Sequence, residues 1–141
     1  MAFKKIIRRK KGERYNHTKV EADGLKFDSK KEYRRYLFLK EAQERGEIRD
    51  LQTQVKFELI PPVIEEYIEH LKTKDKVKTR TLQLAITWTA DFVYYKGDEM
   101  VVEDVKPSKA LLSDRFVIKE KLFFWRYRKK IRLVFNENEE I

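Results

Sequence analysis

Cysteine is absent from the 141-residue chain, so disulfides and thiolate metal sites are excluded, and a zinc-ribbon reading with them. No apolar run approaches the roughly 18 residues that a membrane span requires. The N-terminus is basic but no apolar stretch follows it, so it does not read as a secretory signal, and a cytoplasmic protein is the expectation. Internal repeats and low-complexity linkers are also missing. What remains is one domain's length with 41% hydrophobic and 13% aromatic residues, enough for a single core.

Charge is abundant and unevenly placed. Charged residues make up 40% of the chain and the net charge is +9. Residues 1–19 carry eight Lys/Arg against Glu13, and residues 106–132 carry ten against Asp114 and Glu120. Two basic blocks on a small domain point to a polyanion partner, above all nucleic acid, with a plain solubilising surface as the alternative. Residues 1–14 read as a basic arm, 15–135 as the domain and 136–141, with Glu137, Glu139 and Glu140, as an acidic tail.

The element signals are mostly local. Asp23-Gly24 within "KVEADGLKF" predicts a two-residue hairpin turn. Ser29 and Glu32 form a capping box that opens a helix over 30–45, with Gly46 at its C-terminal end. Strands are expected over 53–60, stopped by Pro61-Pro62, then over 82–95, 100–106 and 131–135. The segment 63–80 fits either a short helical turn or strand extensions flanking a charged loop. A long amphipathic helix is expected over 110–129, with apolar positions from 111 to 127 on a wide face. The order is helix–strand–strand–strand–helix–strand after an N-terminal hairpin, an α/β layout with a small mixed sheet between helices.

The strand "VVEDVKP" (101–107) sets three charges in an apolar run, where an unpaired charge is costly to desolvate. Residues two apart share a strand face, so Asp104 and Lys106 point one way and Glu103 and Val105 the other. The preceding strand carries Asp91 in "TADF". If the two strands form a hairpin, Asp91 and Asp104 converge. Two adjacent carboxylates repel, and a divalent cation resolves the conflict. Oxygen-only ligands suit Mg2+, with Mn2+ substituting, far better than zinc. Such an ion orients and acidifies a water and neutralises phosphate charge, and Lys106 beside it steadies the developing anion. A plain Asp–Lys ion pair on an edge strand is the simpler alternative.

These motifs, "ADF" and "EDVK" in a hairpin between a Glu-bearing helix and a helix–strand unit, resemble the PD-(D/E)XK nuclease superfamily. That group includes restriction endonucleases, TnsA-type transposon endonucleases and Holliday-junction resolvases. Within it, "DGLKFDSKKEYRRY", "VKFELIPP", "TADFVYY" and "VVEDVK" are similar to a family of small phage and prophage proteins. The resemblance spans about residues 27–135 and implies a restriction-endonuclease-like αβββαβ core. It implies that Asp91 and Asp104 are metal ligands, Lys106 the catalytic lysine and Glu32 the acid supplied by the first helix. The Val105 carbonyl would complete the ligand set. Ala90 stands where the family has Pro, and Asp104 where Glu is commoner. Glu103 is the register alternative to Asp104, reached by a one-residue bulge, and Glu32 has a second reading as the helix-capping residue.

The implied activity is Mg2+-dependent endonuclease cleavage of DNA, directed by branched structure such as a Holliday junction and carried out by a homodimer. A non-catalytic DNA-binding recombination or replication accessory protein is the alternative, and an RNA-directed nuclease a third. Lys10, Lys11, Arg14, Lys19, Lys109, Lys119 and Lys121 are the candidate DNA contacts. His17 and His70 carry no assigned chemistry. Phe123, Phe124 and Trp125 are expected in the core or at a dimer face.

Overall fold

The structure, a computed structural model, describes residues 19–141. Lys10, Lys11, Arg14 and His17 lie outside these residues, as does the expected basic arm. A hairpin of β1 (Val20–Ala22) and β2 (Leu25–Phe27) comes first. Its turn residues Asp23 and Gly24 take φ of 53° and 72°, the mirror-image turn that suits strand twist.

Helix α1 (Lys30–Glu44) begins where the capping signal lies: Ser29 Oγ accepts from the Glu32 N–H at 3.1 Å. Gly46, at φ 78°, follows its end. Then come β3 (Arg49–Ile60), β4 (Val63–His70), β5 (Asp75–Gln83), β6 (Ile86–Lys96) and β7 (Glu99–Val105). A short 3-10 turn (Lys109–Leu111), α2 (Asp114–Tyr127) and β8 (Arg132–Val134) complete the chain.

The fold is mixed α/β. One four-stranded sheet has the order β3-β6-β7-β8, antiparallel except for the parallel β7–β8 pair. A parallel neighbour needs a crossover, and α2 provides it. Tyr36, Leu39 and Ala42 of α1 pack with Phe92, Tyr94, Val105 and Val134 on one face of the sheet. Phe116 and Phe123 of α2 pack with Trp88, Ala90, Val93 and Val102 on the other.

One irregularity sets the geometry of the centre. Strict alternation would place Ala90 and Phe92 on the same face, yet they belong to opposite layers. The phase slips at Asp91, between the paired residues Thr53–Phe92 and Val55–Ala90. Opposite it, Gln54 takes a left-handed φ of 52°. Asp91 is thereby released from the packing alternation.

In segment 63–80 the strand alternative holds, and two other segments differ from expectation. Segment 63–80 is strand: β4 and β5 form a separate two-stranded arm and the charged loop shrinks to 71–74. Ion pairs Glu65–Arg80 and Glu69–Lys78 bind its strands together, and one face, with Ile64, Ile68 and Val77, stays exposed. The second helix is shorter than 110–129, because Ser113 Oγ caps the Phe116 N–H and Arg128 turns left-handed at φ 54°. Its apolar face is narrower too: Phe123 is core, whereas Ile118, Phe124 and Trp125 are exposed, Trp125 by 66%. Finally, the acidic tail folds back. Glu137 pairs with Arg34 at 2.7 Å, and Ile141 packs against the α1 layer.

Candidate active site

The end of β7 lies between the first turns of both helices. β6 and β7 pair with Phe92 opposite Glu103, which brings Asp91 and Asp104 side by side where the ladder ends. Both are buried, 8% and 4% exposed. The Val105 N–H donates to Asp91 Oδ2 at 2.7 Å. A strand residue's N–H and C=O leave on the same edge, so the Val105 carbonyl lies on the β6 side of β7 as well. Gln54 Nε2 stands 3.5 Å from Asp91 Oδ1.

Glu32 reaches the same place from α1. It is buried, and its Oε2 accepts from the Asp28 N–H at 3.1 Å while its own N–H is held by Ser29. The capping role and proximity to the centre therefore coexist. Burial pushes the Glu32 carboxyl up to about 7; the hydrogen bond from the Asp28 N–H opposes the rise, and the Asp28 and Asp104 charges add to it. Burial lifts Asp91 further, to about 9, and the Asp104 and Glu32 charges reinforce it. The three carboxylates sense one another electrostatically. Even so, among the described residues no three His, Cys, Asp or Glu side chains are drawn into a ready-made metal cage.

Lys106 closes the group. Its Nζ lies 2.7 Å from Asp104 Oδ2 and 4.0 Å from the centre of the Phe116 ring, a cation–π contact from the first turn of α2. The short ion-pair distance does not make an aligned hydrogen bond: Asp104 Oδ2 is a buried acceptor without a hydrogen-bond partner. Asp91, Asp104 and nearby Glu32 are three acids with one ammonium paired among them, and such hard oxygen donors fit Mg2+ or Mn2+. Asp91, Asp104, Glu32 and the Val105 carbonyl are the residues that would hold it.

Glu103 faces the other way. It is fully buried against Arg35 and Tyr94 on the α1 side, in regular pairing with Phe92. No bulge exchanges it for Asp104.

The expected DNA-contacting lysines do not join the carboxylates. Lys19 and Lys109 are exposed, before β1 and in the 3-10 turn. Lys121 is exposed on α2, beside a cleft formed with Glu120, Phe124, Lys130 and Ile131. Lys119 is occupied: its Nζ donates to the Thr87 carbonyl at 2.8 Å, and burial, then Arg115, lowers its pKa. It fastens α2 to β6. His70 lies in the arm beside Asp75 at 2.8 Å, away from the carboxylates.

Sequence reasoning missed Lys31, Arg35 and Phe116. Lys31 Nζ donates to the Lys106 carbonyl at 3.0 Å and to that of Phe135. The spacing of Phe116 on the apolar face of α2 signals burial, but nothing in the sequence pairs it with Lys106.

No helix among the described residues is long and apolar enough to cross a membrane. No curated protein matches the chain, and no solved structure does. A family match spans residues 12–137 and takes in every element described above together with Glu32, Asp91 and Asp104; the chain belongs to the family described as "Protein of unknown function (DUF1064)".

Proposed function

We propose that the chain is a metal-dependent endonuclease that hydrolyses DNA phosphodiester bonds, built on a PD-(D/E)XK-type core. The observation that carries the reading is the buried Asp91–Asp104 pair with Lys106 paired to Asp104 beside it. One ammonium offsets only part of the repulsion between buried carboxylates held this close. Perturbed acids gathered in one place are a common mark of a reaction centre.

Asp91, Asp104 and the Val105 carbonyl would hold the ion, with Glu32 as a third carboxylate. Bound there, Mg2+ or Mn2+ would supply Lewis acidity, neutralising phosphate charge and acidifying the attacking water. Lys106 places a fixed positive charge against the same phosphate. The Phe116 ring limits its swing, so less reorganisation is needed as negative charge develops. Water adds across the P–O bond, and the departing oxygen takes a proton.

The exposed Lys19, Lys109 and Lys121, together with Lys10, Lys11 and Arg14, hold the DNA backbone through charge. The substrate we propose is branched DNA such as a Holliday junction. Paired cuts need two centres, hence a homodimer. The exposed Ile64, Ile68 and Val77 of the β4–β5 arm offer apolar surface for it. A phage-encoded enzyme working in the host cytoplasm fits this activity.

The test is a panel of junction, flap, nicked and linear DNA, with RNA counterparts, incubated with Mg2+, Mn2+ or chelator. Metal-dependent cutting with preference for branched DNA is expected. DNA bound but left intact in every metal favours the accessory-protein reading and overturns this one.

A further inference from the structure

A single buried ion pair ties α1 to β7. Arg35 Nε donates to Glu103 Oε2 at 2.9 Å and Nη2 to Oε1 at 2.7 Å, with both side chains fully buried. The Tyr94 hydroxyl donates to the same Oε1 at 2.5 Å, and Arg132 Nη1 lies 3.6 Å away. The remaining Arg35 nitrogen, Nη1, donates to the carbonyls of Glu137 at 3.2 Å and Glu139 at 2.5 Å. All three guanidinium nitrogens are engaged.

The pair is adjacent in sequence to the carboxylates of the site. Arg35 follows Glu32 by three residues, one turn along the same side of α1. Glu103 precedes Asp104 on β7 and projects to the opposite face. Fixing Arg35 on Glu103 thus fixes where Glu32 stands relative to Asp104. Apolar packing alone tolerates small slides and rotations of a helix, whereas a bidentate guanidinium–carboxylate contact admits one geometry. For stability alone, a well-packed apolar pair serves as well or better.

We propose that Arg35 and Glu103 are positioning residues, whose ion pair holds the first turn of α1 so that Glu32 reaches the cation shared by Asp91 and Asp104. This deepens the metal-centre reading and rests on it. Lys31 adds a second tie, from α1 to the Lys106 and Phe135 carbonyls.

The test replaces the whole pair, Arg35→Leu with Glu103→Leu, and separately makes Glu103→Gln, which keeps the shape of the side chain. Mn2+ affinity is measured by calorimetry, cooperative folding by urea denaturation, and cleavage as kcat and KM. Both variants should fold cooperatively, bind Mn2+ at least about tenfold more weakly and lose kcat with KM for DNA unchanged. A purely structural pair would change the urea midpoint and leave Mn2+ affinity alone. Wild-type Mn2+ affinity in whichever variant folds overturns the proposal. Wild-type protein that binds Mn2+ without cutting DNA overturns the nuclease reading and leaves the positioning result standing. Wild-type protein that binds no Mn2+ overturns both.

Discussion

Asp91 and Glu32 are held as carboxyls that resist ionisation when no cation is bound. Burial raises both, to about 9 and about 7. A carboxyl raised on folding stabilises the native state below its unfolded pKa of roughly 4, and loses that contribution as pH rises through the folded value. Chelator-treated protein should therefore melt at progressively lower temperature between about pH 5 and 9. Asp91→Asn should flatten the dependence, as calorimetry across that range would show. Lys106 has a different task. Lys106→Ala removes one fixed charge from the reaction centre, and a kcat loss of ~100-fold is expected. DNA affinity in a gel-shift assay should stay close to wild type.

The first turn of α1 places Glu32 beside the carboxylates, and β7 divides its charges between two jobs, Glu103 for the helix and Asp104 for the site. Removing one partner of the Arg35–Glu103 pair strands a buried charge. Arg35→Ala is expected to cost roughly 3–5 kcal/mol in urea denaturation. Much of this layout was legible in sequence. The Ser29–Glu32 box announced the helix, and the period of two assigned Glu103 and Asp104 to opposite faces. The partner of Glu103 was not legible, because "KKEYRRYLF" holds two adjacent arginines and only tertiary packing turns Arg35 inward and leaves Arg34 on Glu137. Nor was the phase slip at Asp91, which depends on the left-handed backbone of Gln54. The β4–β5 arm resisted assignment for a third reason. Its mixed charges and two largely exposed faces give neither a helical nor a strand period to read.

For the molecule as a whole, a net charge of +9 and a buried acidic centre are complementary demands. On the proposed reading, positive surface draws in a polyanion and a bound cation lets the carboxylates meet its phosphates. DNA binding should weaken steeply as salt rises, and changing the exposed Lys109 and Lys121 to Gln should shallow the log–log salt slope by about 2. Fluorescence anisotropy over a salt series measures it. The central claim is that Asp91, Asp104 and Lys106 form one metal-dependent reaction centre. Single-turnover cleavage of a four-way junction tests it most directly, comparing wild type with Asp104→Asn over a Mg2+ titration. Wild type should cut only with metal, and Asp104→Asn should bind the junction and cut at least ~100-fold more slowly at every concentration. Equal cutting by the two proteins, or cutting by wild type in chelator, would contradict the claim.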